Sequence, residues 1–174
     1  FFGGAGVSTE SGIPDFRSTD GLYHQKFDYP PETILSHTFF YQHPEYFFKF
    51  YREKMLPLDY QPNEAHKKLA ALEQAGKLRA IVTQNIDGLH QKAGSHEVLE
   101  LHGSVLRNYC RRCGKLYGVE AVANSTGIPR CTCGGVIKPD VVLYEESLDE
   151  QVMDKALDYI AHADVLIIGG TSLV

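Results

Sequence analysis

No apolar run in the chain approaches the roughly 18 residues that a membrane helix needs, and no basic, apolar, small-residue leader opens it. It begins at Phe1 rather than Met, within what reads as a strand, so a lost leader stays open. Long basic runs are missing as well. Acidic side chains outnumber basic ones, 22 to 17, for a formal net charge of −5. That balance argues against nucleic acid as the main ligand and is compatible with a cationic, lysine-bearing peptide. Internal repeats and low-complexity segments are absent. Cysteine is scarce, four residues in two close pairs. Without a secretory leader they read as a metal site in a reducing, cytoplasmic compartment. What remains, 174 residues with 43 % hydrophobic content, suits one globular domain with a small module attached.

The chain is organised around its first stretch, Gly3-Gly4-Ala5-Gly6-Val7-Ser8-Thr9 through Gly12-Ile13-Pro14-Asp15-Phe16-Arg17-Ser18. Two phenylalanines end an apolar strand, and glycines then let backbone N–H groups approach a pyrophosphate without Cβ obstruction. The usual dinucleotide fingerprint is Gly-x-Gly-x-x-Gly, and Thr9 stands where its third glycine belongs. Gly12 and Pro14 stop the following helix after about one turn. This leaves Asp15-Phe16-Arg17 as a loop close to the phosphate turn, where an acid, an aromatic and a guanidinium suit chemistry on a ribose. The plainer alternative is a solvated loop with Phe16 tucked into the core.

Further on, His43-Pro44 starts a helix with an apolar face of Phe47, Phe50 and Tyr51, read as core packing. Asn63 caps the next helix, with Ala65, Leu69 and Leu72 on one face and Gly76 as its stop. Leu78–Val82 is a buried strand ending in Thr83-Gln84-Asn85-Ile86-Asp87, and Val98–Leu101 is a second one ending at His102. In open α/β sheets ligands sit at such carboxyl ends. His102 is therefore either a general base or a structural histidine, with its place at a strand end favouring catalysis. Cys110-Arg-Arg-Cys113 and Cys131-Thr-Cys133-Gly134-Gly135 fit the spacing of a zinc ribbon. Four thiolates fill a tetrahedral shell, so the metal is structural; free thiols or a disulfide are the alternatives. The second pair has one intervening residue instead of two, a tighter turn that the two glycines would relieve. Val141–Tyr144 reads as a strand, Asp149–Ala161 as a helix, and Val165–Ile168 as a buried strand running into Gly169-Gly170-Thr171-Ser172. The alternation indicates an α/β fold, a doubly wound, mostly parallel Rossmann-like sheet. It carries a helical insertion near 21–62 and a zinc-bearing one near 105–138. The cleft between sheet and insertions is the natural ligand site.

Gly-Ala-Gly-Val-Ser through Pro-Asp-Phe-Arg-Ser resembles the opening motif of the sirtuins, the NAD-dependent protein deacylases. Thr83-Gln84-Asn85-Ile86-Asp87-Gly88-Leu89-His90, Leu101-His102-Gly103-Ser104 and Gly170-Thr171-Ser172 follow in the family's order. The four-cysteine module stands in its expected place. The resemblance, to a bacterial-type sirtuin shorter at both ends, covers essentially the whole chain. It implies an incomplete NAD-binding domain of residues 1–20, 63–104 and 139–174, a helical module 21–62 and a zinc module 105–138.

The resemblance also implies a protein lysine deacetylase that passes the acyl group from lysine to ADP-ribose and releases nicotinamide. NAD phosphates would lie on Gly4-Ala5-Gly6, with Thr9 and Arg17 nearby, and on Gly170-Thr171-Ser172. Ala5, Ile86 and Asp87 would line the nicotinamide pocket, Phe16 would cover ribose C1′, and Gln84 and Asn85 would hold ribose hydroxyls. Asn85 and Asp87 join His102, the general base, in the catalytic set. The acyl oxygen would attack C1′ and form an alkylimidate, and a ribose hydroxyl activated by His102 would attack that group. Cys110, Cys113, Cys131 and Cys133 would hold one zinc ion. The partner is an acyl-lysine protein or peptide, with no nucleic acid or membrane involved and the oligomeric state left open.

Two departures stand out. The family's peptide-binding strand often continues Phe-Gly-Glu, and here it reads Tyr144-Glu145-Glu146. Sirtuins also continue past the last turn with strands that bind adenosine, so the chain as given is expected to be a poor or inactive enzyme. A Tyr-x-x-Arg pair that binds acidic acyl groups in some sirtuins has Tyr51 and Lys54 at its matching positions, which favours acetyl-lysine. The rivals are a mono-ADP-ribosyltransferase using the same C1′ chemistry, a nicotinamide-dependent oxidoreductase and a zinc-ribbon binding module without catalysis. The oxidoreductase is disfavoured by the broken helix after Gly12, and the binding module leaves Gln84, Asp87 and His102 without a purpose.

Overall fold

The computed structural model describes residues 1–15, 27–56 and 58–172. In chain order it holds β1 (Phe2–Gly3), α1 (Pro31–Ile34), α2 (His37–Gln42), α3 (Pro44–Lys54) and α4 (Glu64–Gln74). Then come β2 (Ile81–Thr83), α5 (Leu89–Lys92), β3 (Val98–Glu100), β4 (Gly103–Cys110) and β5 (Leu116–Tyr117). The last elements are α6 (Glu120–Ala123), β6 (Ile137–Val141), α7 (Glu150–Ala161) and β7 (Ile168–Gly169). They divide into two compact units, the first of residues 1–25, 59–102 and 148–174 and the second of 26–58 and 103–147. The expected helical and cysteine-bearing segments both contribute to the second.

The first unit is built on a four-stranded sheet in the order β3-β2-β1-β7, every neighbouring pair parallel. Val82, Leu99, Leu101 and Ala156 form its core, with Phe2, Val152, Met153 and Tyr159 packed around them. Two helices are fixed by their caps. Asp149 accepts the Val152 amide at 3.0 Å and starts α7. Asn63 starts α4 by accepting the Ala65 and His66 amides, while His66 Nδ1 accepts the Asn63 amide in return. The box is closed by a histidine where Glu or Gln usually stands. The buried side of α4 runs through His66, Leu69 and Ala70 instead of the expected line through Ala65 and Leu72, because His66 is drawn inward to a buried partner described below.

Val165–Ile168 was expected to be buried, and the structure differs: Val165 is 75 % and Ile167 51 % exposed. Only Ile168–Gly169 pair, and only with β1, which puts β7 at the sheet edge with no second neighbour among the described residues.

In the second unit, β4 is flanked by β5 and β6 in an antiparallel sheet. Its helical layer is cored by Phe40, Phe47, Phe48, Phe50 and Tyr51, with Phe40 and Phe47 edge to face at 5.0 Å. The strand expected at 141–144 is displaced: β6 ends at Val141. Beyond it, Leu143 gives its amide to the Glu146 carboxylate and Tyr144 gives its own to the Leu35 carbonyl, so neither continues the ladder. Glu145 has φ 75°, the left-handed region that favours glycine. Its carboxylate accepts the Thr38 amide at 2.8 Å in the first turn of α2, and that bond holds the strained residue in place.

Candidate functional site

Parallel pairing brings the carboxyl ends of four strands to one edge of the first unit's sheet. Gly4-Ala5-Gly6 follows β1, Gln84-Asn85-Ile86-Asp87 follows β2, His102 lies just past β3, and Gly170-Thr171-Ser172 follows β7. The two glycine turns touch. The Gly4 amide donates to the Gly169 carbonyl at 3.3 Å and the Gly6 amide to the Gly170 carbonyl at 2.9 Å. A Cβ on Gly6 would stand 2.9 Å from Gly170 Cα, and one on Gly4 2.8 Å from Gln84 Oε1. What these glycines supply is therefore room for close approach, since their own amides are already bonded. Thr171 donates its hydroxyl to Gln84 Oε1 at 3.3 Å, and Thr9 turns its hydroxyl back to the Gly6 carbonyl at 3.0 Å. Phe16 and Arg17 lie outside the described residues.

Beneath this edge lies a buried polar network centred on Ser8. Its hydroxyl donates to Asp87 Oδ2 at 2.6 Å and accepts from Asn85 Nδ2 at 3.0 Å. His66 Nε2 stands 3.4 Å from the same oxygen. Because His66 Nδ1 accepts the Asn63 amide, the ring proton sits on Nε2 and points at Ser8. One donated and two accepted bonds use the full capacity of that hydroxyl. The second Asp87 oxygen accepts the Leu89 amide at 2.9 Å, so the carboxylate is held at both ends. Burial depresses the basicity of His66, with Asp87 opposing. His90 packs edge to face on His66 at 4.8 Å. Burial first, and His66 second, push His90 down to about 4. Both imidazoles are therefore neutral at pH 7.

Sequence reasoning singled out Asn85 and Asp87 but missed Ser8, His66 and His90. Ser8 stands within the first motif and His66 three residues after the Asn63 cap, so the capping box was the available signal. Asn85 was expected to meet a ribose; its side chain is buried, with its amide nitrogen bonded to Ser8. Ile86 and Ala5 are half-buried at the same edge.

His102 is half-buried, and its Nδ1 lies 3.0 Å from the Gln84 carbonyl oxygen. A carbonyl can only accept, so Nδ1 carries the proton and Nε2 keeps its lone pair. The tautomer needed by a general base is thus set by the neighbouring strand end.

The second unit holds the other constellation. Cys110, Cys113, Cys131 and Cys133 place their sulfur atoms within 4.8 Å of one another. Cys110 and Cys133 stand 3.4 Å apart, and Cys113 and Cys131 3.6 Å. Sulfurs bound at about 2.3 Å to a tetrahedral zinc stand about 3.8 Å apart, so the cluster has the size of the ion, and no disulfide forms within it. The tight second knuckle depends on its glycines: Gly134 has φ 85°, and a Cβ on Gly135 would stand 2.7 Å from Cys110 Sγ. The Cys133 amide, and after it the Tyr117 hydroxyl, lower the Cys131 thiol to about 5. Four soft thiolate donors with no open position fit a structural zinc ion.

Comparison with known proteins agrees with this geometry. A family model described as the Sir2 family matches residues 4–174. The NAD-dependent protein deacetylase of Clostridium acetobutylicum is 64 % identical over 178 residues, covering 100 % of this chain and 73 % of the relative. A Sir2 variant solved with a deacetylated p53 peptide and 3′-O-acetyl ADP-ribose is 42 % identical with a TM-score of 0.90, over 99 % of this chain and 71 % of that one. A Sir2 homologue solved with NAD is 40 % identical with a TM-score of 0.88, over 99 % of this chain and 68 % of that one.

Proposed function

The chain belongs to the Sir2 family, and from that membership we propose that it is an NAD-dependent protein lysine deacetylase. It transfers the acyl group of an acyl-lysine peptide to ADP-ribose and releases nicotinamide. NAD is consumed as a co-substrate, and one zinc ion held by Cys110, Cys113, Cys131 and Cys133 has a structural role. The reading places the NAD site on the sheet-bearing segments, with the helical segment 21–62 and the zinc segment 105–138 as accessory modules. Its setting is the reducing cytoplasm; no helix among the described residues is long and apolar enough to cross a membrane.

The observation that carries the chemistry is the His102 Nδ1–H bond to the Gln84 carbonyl at 3.0 Å. With Nδ1 committed, Nε2 is the basic atom, and it takes the proton of a ribose hydroxyl as that oxygen attacks the acyl carbon. An imidazole suits that transfer near neutral pH. Asp87, fixed by Ser8 and the Leu89 amide, accepts the nicotinamide carboxamide N–H in a pocket completed by Ala5 and Ile86. A rigid acceptor keeps the leaving group aligned without reorganisation. Gln84, Asn85, Thr9, Phe16, Arg17 and the two glycine turns complete the NAD site in this reading.

Incubating the protein with NAD and an acetyl-lysine peptide tests it. Stoichiometric nicotinamide, free lysine peptide and O-acetyl-ADP-ribose are expected. Nicotinamide release with ADP-ribose found on protein, and no deacylated peptide, would replace the reading with mono-ADP-ribosyl transfer.

A further inference from the structure

One side chain outside the sheet-edge site is aimed at a sulfur of the cysteine cluster. Tyr117 Oη lies 3.0 Å from Cys131 Sγ and donates to it. The placement is built in: Tyr117 belongs to β5 and faces Asn108 of β4 in register, which fixes where the phenol starts. Lys115 Nζ stands 5.3 Å over the ring and draws electron density from it, making the hydroxyl a stronger donor. Other donors near the cluster lie farther from the sulfurs. The amides of Arg112 and Cys133 reach Cys110 and Cys131 at 3.4 and 3.5 Å, and the Thr132 hydroxyl is 3.9 Å from Cys131.

We propose that Tyr117 is a positioning residue of the metal centre, which orients the Cys131 sulfur toward the ion and slows loss of the ion. Four thiolates around one divalent ion leave excess negative charge on sulfur. A hydroxyl hydrogen bond to a charged acceptor is of the strong, charge-assisted kind. It disperses part of that charge and pins the Cys131 rotamer inside the tetrahedron. Removing an outer partner of a metal ligand typically weakens metal binding by about 10–100-fold. The inference rests on the zinc reading, and the test separates the two.

The test compares the zinc-loaded protein with Tyr117→Phe, which deletes only the hydroxyl, in competition with a chromogenic chelator. Both should hold one ion per chain at saturating zinc, with the variant weaker by about 10-fold or more. With cobalt(II) in the site, the sulfur-to-metal charge-transfer band should shift in Tyr117→Phe and stay unchanged in Thr132→Val. Should the Phe variant fail to fold, the unaltered protein loaded with cadmium-113 decides. There the Tyr117 hydroxyl proton should show coupling to the metal through the Cys131 sulfur. Equal affinity and an unshifted band, or a hydroxyl proton without that coupling, would overturn the role of Tyr117. Failure of the unaltered protein to bind any metal would remove the zinc reading itself.

Discussion

His102 and Gln84 are joined across the ends of two neighbouring parallel strands, the imidazole Nδ1–H donating to the main-chain carbonyl at 3.0 Å. Gln84 in turn gives its own amide to the Gly3 carbonyl at 2.9 Å. The imidazole is thus referenced through main-chain bonds to the glycine turn after β1, and its alignment depends on strand register more than on any loop.

Replacement of His102 tests this directly. His102→Ala should lower deacetylation by about 10²–10⁴-fold, while metal content and thermal unfolding stay as in the parent. Steady-state assays with an acetyl-lysine peptide, run beside metal analysis, would check it. Near-normal turnover would remove His102 from the mechanism.

Ser8→Ala should cost both stability and activity. The substitution leaves Asp87 Oδ2 without its 2.6 Å donor and the His66 Nε2–H and Asn85 Nδ2 without their acceptor. Unsatisfied buried groups of this kind cost about 1–3 kcal/mol, a loss measurable by urea unfolding. Nicotinamide release should fall as well, because among the described residues Asp87 is then held only by the Leu89 amide. A variant of unchanged stability would show that the network is dispensable.

How much of this was legible in the sequence depended on range. The Asn63 cap, the Pro44 start of α3 and the two cysteine knuckles are local patterns, and each stands where the residues put it. Ser8, His66 and Asp87 are separated by 58 and 79 positions, so their meeting follows from sheet order, which no local pattern encodes. His66 was further hidden because it serves α4 as a cap partner and Ser8 as a donor at once. The apolar run Val165–Ile168 reads as a buried strand in isolation, yet burial is decided by neighbours, and among the described residues β7 has one. The end of β6 at Val141 was equally invisible, being set by the Glu146 carboxylate that takes the Leu143 amide.

The buried histidine pair makes stability depend on pH in one direction. In the unfolded chain His90 binds a proton below about 6.5, whereas in the fold it does so only near 4. Between those values the unfolded state holds more protons, so acid favours unfolding. Stability should be flat above pH 6.5 on this account and fall towards pH 4, by roughly 3 kcal/mol from His90 alone. His66, shifted the same way, adds to the slope. Denaturant midpoints measured from pH 8 to 4 in the parent and in His90→Gln would check it, the variant showing the shallower fall. Identical pH profiles would assign the acid sensitivity elsewhere.

The last prediction concerns the acyl group. An acidic acyl chain such as succinyl needs a cation and a hydroxyl presented together. Tyr51 and Lys54, which occupy the matching positions, are not presented that way. Tyr51 is fully buried, its ring stacked on Phe47 at 5.6 Å, and its hydroxyl has no partner among the described residues. Burial raises its pKa so far that it stays neutral throughout the working range. Lys54 is at the surface with its ammonium 5.6 Å over the Phe27 ring. A lysine also lacks the two-pronged fork with which arginine grips a carboxylate. Drawing a carboxylate towards the buried Tyr51 would bury its charge, which is unfavourable by several kcal/mol unless a cation is brought in with it. Acetyl-lysine peptides should therefore give a kcat/KM at least about 10-fold above succinyl-lysine peptides of the same sequence, a ratio that corresponds to about 1.4 kcal/mol. Lys54→Ala should leave the acetyl value unchanged, because that side chain is at the surface and packs on Phe27. Competition between the two peptides in one reaction, read by mass spectrometry, gives the ratio directly. A ratio favouring succinyl would mean that Tyr51 leaves its buried position on substrate binding and that Lys54 swings off Phe27 to join it.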